Sequence, residues 1–326
     1  MSDREFDVVV YGASGFTGRL VAEYMAQQYG DSQSWAMAGR SAGKLETVRD
    51  EIGAPANTPI LTADASDSES LRALVKRARC IATTVGPYQL YGSELVQLCA
   101  EEGTHYVDLC GEPAWMHDMI NQHAETAKQS GARIVFSCGF DSIPFDLGVY
   151  FLQQEAIKQT GHPMPRIRGR VRAMVGEFSG GTAASLGATM AAVGKNPELA
   201  KVRTNPFSLA GGFQGPAQPA DNAPYLDEVA GSWVAPFIMA AINTKNVHRS
   251  NALLKHQYGE NFEYDEMMMT GPGDQGEAIA QAVSKTNPLA GDDVPQPGEG
   301  PSKESRDAGS YDVAFIGTND AGDQIQ

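Results

Sequence analysis

The sequence of 326 residues contains only four cysteines, and none of them forms a Cys-x-x-Cys pair. Their wide spacing argues against a disulfide framework and against a metal site, and it favours reduced thiols in apolar surroundings. Positive charge is also scarce, because 25 Lys and Arg stand against 40 Asp and Glu, which gives a net charge of −15. A chain this acidic should repel DNA and RNA, so we expect no nucleic-acid partner. The cysteines are Cys80, Cys99, Cys110 and Cys138.

Long apolar runs are absent as well. No stretch approaches the ~20 apolar residues that span a bilayer. The most apolar segment, Trp233 to Ile242, contains Pro236, and we interpret it as a buried segment, with a lipid-facing surface as the alternative. The first residues, Met1 to Asp7, are polar and acidic, so we expect no signal peptide. These observations predict a cytoplasmic protein, with peripheral attachment to a membrane left open.

Residues 1–145 alternate short β-rich runs with amphipathic segments of helical period. Six such strands, separated by helix-like segments, predict an α/β fold whose first domain, residues 1–145, is a doubly wound parallel sheet of the Rossmann type. The predicted strands are Phe6–Tyr11, Trp35–Ala38, Ile60–Thr62, Cys80–Val85, His105–Leu109 and Arg133–Ser137.

The regular alternation stops after Phe140. We predict a second, α+β domain over residues 146–326, with loops at 205–224 and 286–309, which are rich in Gly and Pro. The turn at 319–323 leaves too few residues for a returning strand, so we expect an incomplete or disordered C-terminus. The predicted elements are helices at Asp146–Ile157 and Gly180–Val193, and strands at Arg166–Phe178, Phe262–Met269 and Tyr311–Ile316.

A glycine-rich turn follows the first strand and opens the first helix, with the spacing Gly-x-x-Gly-x-x-Gly. Gly12 permits a tight turn, Gly15 lets the backbone approach a pyrophosphate, and Gly18 lets the helix pack on the strand. The N–H groups and partial positive charge of the helix N-terminus favour phosphate, and Ser14 and Thr17 can add hydroxyl donors. The turn therefore predicts a dinucleotide site formed by Gly12, Ala13, Ser14, Gly15, Phe16, Thr17 and Gly18.

The residues after the second strand select the dinucleotide. NAD enzymes place an acid there to accept the ribose 2′-hydroxyl, but this sequence has Gly39-Arg40-Ser41 and no acid. Arg40 can make a charge-assisted contact with a 2′-phosphate, which favours NADP(H), and Ser41 and Lys44 can assist it. Asp64, just past the third strand, either hydrogen-bonds the adenine or leads into the next helix.

The loop after the fourth strand should lie at the same edge of the sheet as the glycine turn, because the carboxyl ends of parallel strands face the cofactor. Gly86 and Pro87 would let the backbone pass close to the ribose and nicotinamide. Tyr88 follows them and is placed to line the pocket. The competing interpretation of this segment is an ordinary turn.

The later loops contain candidates for proton handling or for orienting a substrate, namely Asp108, Glu112, Asp141 and Ser142. Helix capping is the competing interpretation, because Glu112 directly precedes a helix that starts at Pro113. Asp141 or Ser142 can likewise cap the helix that follows them. No Tyr-x-x-x-Lys occurs, so the acid pair of the short-chain dehydrogenases is missing. From all these groups we select Tyr88, Asp141 and Ser142 as the predicted catalytic residues.

Taken in order, these motifs resemble those of the saccharopine dehydrogenase-like oxidoreductases, most of all the branch of the trans-acting enoyl reductases. The resemblance continues beyond the first domain into residues 179–185 and 236–251. It implies NADP(H), hydride transfer and a second domain with a mixed sheet. Within the branch it implies reduction of an enoyl group on a lipid or polyketide intermediate, and several relatives are linked to membranes. The motifs are Tyr11–Gly18, Ala38–Arg40, Gly86–Tyr88, Asp108, Gly111–Glu112 and Gly139–Pro144.

The leading hypothesis is an NADPH-dependent reductase of an enoyl or carbonyl group on an apolar, lipid-like small molecule, with assembly into a homodimer left open. A saccharopine-type amino-acid dehydrogenase is the first alternative, because residues 166–172 present four arginines on one strand face that could clamp carboxylates. We expect that face to point to solvent instead. The second alternative is a non-catalytic NADP-binding scaffold or redox sensor at a membrane.

Overall fold

The structure is a computed structural model that describes residues 4–195, 198–286, 295–296 and 298–326. The chain divides into two compact units, each of which contains one six-stranded sheet. The first unit comprises Met1–Gly139, Phe178–Lys195 and Pro295–Gly300, and the second comprises Phe140–Glu177, Asn196–Val294 and Pro301–Gln326.

The sheet of the first unit is formed by β1 (Phe6–Tyr11), β2 (Trp35–Gly39), β3 (Ile60–Thr62), β4 (Ala78–Thr83), β5 (His105–Val107) and β6 (Ile134–Val135). The strand order is β3-β2-β1-β4-β5-β6, and every pairing is parallel. This confirms the predicted doubly wound sheet. Because the strand order reverses between β1 and β4, their carboxyl ends flank the crevice in which such sheets bind ligands.

Helices connect these strands, and their starts follow from local sequence. For example, the helix after β3 begins at the N-cap Asp67, whose carboxylate accepts hydrogen bonds from the N–H groups of Glu69 and Ser70 at 3.1 and 3.3 Å. The helices are α1 (Phe16–Gln28), α2 (Ala42–Glu51), α3 (Ser68–Arg77), α4 (Tyr88–Tyr91), α5 (Ser93–Glu102), α6 (Pro113–Ser130), α7 (Ile143–Thr160, in the second unit) and α8 (Gly180–Lys195).

The core of the first unit lies on both faces of its sheet, which is why the strands are nearly continuous apolar runs. Val9, Val10, Met37 and Ile81 are completely buried there. None of the four cysteines, all of which lie in the described part of the chain, forms a disulfide; two of them are buried and two are partly buried.

The sheet of the second unit is formed by β7 (Arg166–Val175), β8 (Tyr225–Asp227), β9 (Ser232–Pro236), β10 (Glu263–Gly271), β11 (Ser310–Thr318) and β12 (Gln324–Ile325). The order is β12-β11-β7-β10-β9-β8; β7 and β10 pair in parallel, and the other neighbours are antiparallel. This confirms the predicted second domain with a mixed sheet. The remaining helices are α9 (Glu198–Thr204), α10 (Ala240–Leu253), α11 (Gly273–Val283) and α12 (Lys303–Asp307).

Some elements of the second unit differ from the prediction. The apolar segment 233–242 is divided, since β9 ends at Pro236 and α10 begins at Ala240. The loop predicted at 286–309 includes α12, whereas residues 287–294 and 297 lie outside the described residues. At the C-terminus, Gln324 and Ile325 do form a returning strand, which pairs with β11 over these two residues.

Three of the four arginines of β7 do not face solvent, so that prediction is wrong. Arg170 is completely buried, and its guanidinium pairs with Asp227 at 2.7 Å and with Asp265 at 2.9 Å. Arg166 also pairs with Asp265, and Arg168 lies 3.8 Å from Asp227. The neutralising acids belong to β8 and β10, which are distant in sequence, and therefore the alternation within β7 alone could not reveal them.

The outer face of α7 is apolar. Leu147, Tyr150 and Phe151 are 53%, 41% and 68% exposed, and their spacing places them on one side of the helix. Among the described residues, no helix combines the length and the apolar composition that crossing a bilayer requires.

Candidate functional site

The glycine turn at the end of β1 is closed tightly. Gly12 has a φ of +91°, a conformation that side chains disfavour, and its N–H donates to the carbonyl of Ala38 in β2 at 2.9 Å. A Cβ on Gly12 would lie 2.8 Å from Thr84 Oγ1, and a Cβ on Gly18 would lie 2.1 Å from the carbonyl oxygen of Gly12. Both positions therefore require glycine, for the reasons that the sequence spacing predicts.

The helix that follows this turn presents its N-terminus at the carboxyl end of β1. Its N-cap is Gly15, which has no side chain that could accept a hydrogen bond from the first turn. Backbone N–H groups and the partial positive charge of the helix are thus directed toward the same place. Ser14 is exposed and Thr17 is half-buried beside them. This cradle fits the pyrophosphate of a dinucleotide.

Arg40 lies just beyond the end of β2 and is exposed. Within the described residues it forms no ion pair. The next helix, α2, has Ser41 as its N-cap, whose hydroxyl accepts a hydrogen bond from the backbone N–H of Lys44 at 3.4 Å. An unpaired guanidinium beside a helix N-terminus suits the 2′-phosphate of NADP(H).

Asp64 lies past β3, near Arg40. Its Oδ1 accepts hydrogen bonds from the N–H and the hydroxyl of Ser66 at 2.9 and 2.7 Å, and these bonds, together with the charge of Arg40, lower the pKa of its carboxyl. Burial, and next the charge of Asp64, raises the pKa of Tyr11 to about 12. The bonds to Ser66 fit the interpretation of Asp64 as the approach to α3, and an adenine contact stays a prediction.

The loop after β4 is held in place by hydrogen bonds to the side chain of Glu112. Its two carboxylate oxygens accept hydrogen bonds from the backbone N–H groups of Tyr88 and Gln89, each at 2.8 Å. The expectation that Glu112 caps the helix starting at Pro113 is wrong, because its carboxylate caps the short helix α4 instead. In the same loop the Gly86–Pro87 peptide bond is cis.

The sequence predicts that Tyr88 lines the cofactor pocket, but its side chain is enclosed by other residues. Its side chain is buried, and its ring packs against Trp115 with centroids 5.6 Å apart. The hydroxyl donates to the carbonyl of Thr83 and accepts from the N–H of Leu109, both at 3.3 Å. Burial also raises the pKa of Tyr88 well above its usual value. A catalytic role for Tyr88 stays a prediction that this geometry does not favour.

Asp108 joins the ends of β5 and β6. Its Oδ1 accepts hydrogen bonds from the N–H groups of Cys110 and Ser137 at 2.9 and 2.8 Å, and its Oδ2 accepts one from the hydroxyl of Tyr106 at 2.7 Å. Burial raises the pKa of this carboxyl to about 7. Asp108 therefore shapes the edge of the sheet through its bonds to β5 and to the segment after β6.

The predicted residues Asp141 and Ser142 lie in the second unit, where both form hydrogen bonds with the side chain of Asn243. Ser142 is at the N-cap of α7, yet its hydroxyl donates to Asn243 Oδ1 at 2.9 Å rather than capping the helix. Asn243 Nδ2 donates to the carbonyl of Asp141 at 2.7 Å and to Glu266 Oε2 at 2.9 Å. Burial raises the pKa of the Asp141 carboxyl. The sequence motifs did not indicate Asn243 or Glu266.

Glu266 completes this polar cluster inside the second unit. It is completely buried, its Oε1 accepts a hydrogen bond from the hydroxyl of Tyr264 at 2.8 Å, and burial raises its pKa to about 8. A sequence signal does exist, because Asp265 and Glu266 directly precede the apolar run Met267–Met269 within the strand β10. Acids in such a position must find polar partners.

The parallel sheet and its glycine cradle are those of a dinucleotide-dependent oxidoreductase. Residues 8–135 match the family described as saccharopine dehydrogenase NADP binding domain. The chain is 40% identical over 344 residues to a Mycobacterium tuberculosis protein provisionally named trans-acting enoyl reductase, a match that covers 98% of this chain and 82% of that protein.

Two further relatives are named trans-acting enoyl reductase. The protein of Mycobacterium tuberculosis is 36% identical over 350 residues, covering 98% of this chain and 83% of its own length. The protein of Mycobacterium ulcerans is 36% identical over 341 residues, covering 95% and 80%. The chain belongs to the saccharopine dehydrogenase-like oxidoreductases, in the branch of the trans-acting enoyl reductases, and it is an NADP-dependent oxidoreductase. This confirms the resemblance that the motifs indicate.

Proposed function

We propose that the protein is an NADPH-dependent reductase of a carbon–carbon double bond conjugated to a carbonyl, in a lipid-like or polyketide-like substrate. The observation that supports this most is the identity of 36–40% with proteins named trans-acting enoyl reductase, over at least 80% of their length. A ketone or other carbonyl of the same kind of substrate is the nearest variant of the reaction.

The cofactor would be held by residues of the first unit. The turn Gly12–Gly18 would bind the pyrophosphate, and Arg40 the 2′-phosphate, with Ser41 and Lys44 beside it. NADPH, when bound, supplies the hydride. The β-carbon of the substrate would accept that hydride, and its α-carbon would take a proton.

We assign the proton to Asp141 or to water. Burial raises the pKa of the Asp141 carboxyl, so this group retains a proton more readily near neutral pH than an exposed aspartate does. Ser142 is held by Asn243 and would orient the substrate or Asp141. Tyr88 is the least favoured of the three predicted catalytic residues, since its hydroxyl is already committed to Thr83 and Leu109.

We further propose that residues 1–145 provide the cofactor-binding domain and that residues 146–326 provide the substrate-binding domain, except for residues 178–195 and 295–300, which belong to the first unit. The apolar face of α7, formed by Leu147, Tyr150 and Phe151, supports an apolar substrate, a peripheral contact with membranes or a homodimer. Flotation with liposomes and sedimentation of the free protein distinguish these roles of the face. Phe151→Asp should abolish whichever association is present.

A saccharopine-type substrate is less well supported. Such a molecule bears several carboxylates and needs free guanidinium groups. The buried Arg170 is already neutralised by Asp227 and Asp265, which leaves it no capacity for a second carboxylate.

The experiment compares candidate substrates with the purified protein as the only enzyme present. The protein is incubated with NADPH and with enoyl thioesters of eight to sixteen carbons, the matching 3-ketoacyl thioesters, or saccharopine. We expect oxidation of NADPH with the enoyl series and a product two mass units heavier. Turnover of saccharopine alone, or no turnover of any thioester, would contradict the proposal. Asp141→Asn should slow turnover and leave NADPH binding unchanged.

A further inference from the structure

We propose that Glu112 is a positioning residue that holds the loop after β4 in place for the nicotinamide half of NADP(H). The proposal rests on the function given above, because it concerns the same cofactor. Glu112 itself need not touch the dinucleotide. It would act through the backbone of the loop that it supports.

Glu112 attaches the loop after β4 to the start of α6. The carboxylate is 2% exposed, and each of its oxygens accepts one backbone N–H, from Tyr88 and from Gln89, at 2.8 Å. An ionised acceptor shared by two consecutive N–H groups forms stronger and shorter hydrogen bonds than a neutral one. The start of α4 is therefore fixed to the residue that precedes α6.

The beginning of this loop lies against the glycine turn that forms the phosphate cradle. The N–H of Thr84 donates to the carbonyl of Tyr11 at 2.9 Å. A Cβ built on Gly12 would lie 2.8 Å from Thr84 Oγ1 and also 2.8 Å from Val85 Cγ2. The loop is thus in contact with the glycine turn at its beginning and fixed by Glu112 four residues later. Ser185 of α8 supports it from another side, since a Cβ on Gly86 would lie 3.5 Å from its hydroxyl.

The two halves of a bound dinucleotide would lie at different strands of the sheet. In this sheet β2 and β3 carry the residues suited to the adenosine half, whereas β4 lies on the other side of β1. The glycine turn at the end of β1 lies between the two. A shift of the β4 loop should consequently disturb the nicotinamide half and leave the adenosine half in place. Positioning of the reacting atoms within fractions of an ångström governs hydride transfer.

The test compares Glu112→Gln with Asp67→Asn, a matched control. Asp67 also accepts hydrogen bonds from two consecutive N–H groups, at the N-cap of α3, but both bind its Oδ1. Asparagine can therefore retain both bonds, and this variant controls for the loss of one negative charge from the same unit. Two probes are titrated: NADPH, and 2′-phospho-ADP-ribose, which lacks the nicotinamide. We expect Glu112→Gln to weaken the binding of NADPH about tenfold and the binding of 2′-phospho-ADP-ribose less than about twofold. Asp67→Asn should change neither. Glu112→Gln should weaken NADPH binding because the glutamine accepts a hydrogen bond from only one of the two loop N–H groups and directs its own NH₂ at the other.

Equal weakening of both probes would overturn the proposal, because it would indicate general damage to the domain. Wild-type affinity for NADPH in Glu112→Gln would overturn it as well. Glu112→Asp, which retains the charge but has a shorter reach, serves if the glutamine variant does not fold, and it should show the same selectivity for NADPH to a smaller degree. Failure of the wild-type protein to bind NADPH would instead overturn the cofactor assignment on which both proposals rest.

Discussion

The carbonyl oxygen of Gly12 and the α-carbon of Gly18 are so close that a Cβ built on Gly18 would lie 2.1 Å from that oxygen. The obstacle is backbone, which cannot rotate away as the end of a side chain can. The turn that forms the phosphate cradle and the helix that provides its N–H groups are therefore packed directly on each other. This contact links the fold of the first unit to cofactor binding.

Gly18→Ala should weaken NADPH binding by at least about 30-fold, or about 2 kcal/mol, because either the turn or α1 must move to admit the methyl group. Gly43→Ala is the control, since a Cβ at Gly43 meets nothing within 4 Å. That variant should bind NADPH normally and gain up to about 1 kcal/mol of stability through helix propensity. Fluorescence titration and thermal unfolding measure the two effects. Normal NADPH binding by Gly18→Ala would refute the prediction.

Arg40 should determine the choice of dinucleotide. We expect the wild-type protein to prefer NADPH over NADH by at least about tenfold, which corresponds to about 1.4 kcal/mol from one charge-assisted contact. Arg40→Ala should lose this preference. Lys76→Ala removes another exposed cation of the same unit and should retain it. Fluorescence titrations with both cofactors provide the measurement, and an unchanged ratio in Arg40→Ala would show that another group recognises the 2′-phosphate.

Asp108 should make stability depend on pH. Burial raises the pKa of its carboxyl from 3.8 to about 7, so between these values the folded protein binds a proton that the unfolded chain releases. The contribution of Asp108 to the free energy of unfolding should therefore be highest at low pH. It should fall as the pH rises from about 4 to about 7 and level off above that range. The slope is at most about 1.4 kcal/mol per pH unit.

Asp108→Asn cannot ionise and should remove this part of the slope, which urea unfolding at several pH values between 5 and 8 measures. Glu266, whose pKa burial raises to about 8, adds a contribution of the same sign that remains in the variant. The exposed Asp118→Asn serves as the control and should retain the wild-type slope. If Asp108→Asn also retained it, the carboxyl would be ionised throughout in the folded protein.

Asn243 should be important for the stability of the second unit. Asn243→Ala would remove the partner of the Ser142 hydroxyl, of Glu266 Oε2 and of the carbonyl of Asp141, while Glu266 Oε1 would keep its bond to Tyr264. With about 1–3 kcal/mol for each buried polar group, we expect a loss of about 3 kcal/mol or more.

Asn246→Ala, in the same helix, is the control, because its buried Nδ2 has no hydrogen-bond partner among the described residues. That variant should lose far less stability. Urea unfolding of both proteins compares them directly. Equal losses would indicate that packing, and not hydrogen bonding, explains the effect.

The contacts that sequence reasoning found and those it missed differ in their separation along the chain. The cradle lies within seven consecutive residues, and Arg40 follows directly after β2, so both were recognisable from local spacing. Glu112 is 24 residues from Tyr88, and Ser142 is 101 residues from Asn243. Periodicity reports neighbours two to four residues apart, and it contains no information about such pairs.

By itself, the sequence determined the parallel sheet of the first unit and the glycine cradle, and it predicts that Arg40 recognises a 2′-phosphate. These features follow from the alternation of strands and helices and from residue types at fixed positions after a strand. Only the tertiary structure decided that Glu112 supports the β4 loop, that Tyr88 is enclosed and that the arginines of β7 are neutralised. A buried polar group must be satisfied by whichever partner the fold brings to it, and that partner is set by how the strands and helices pack.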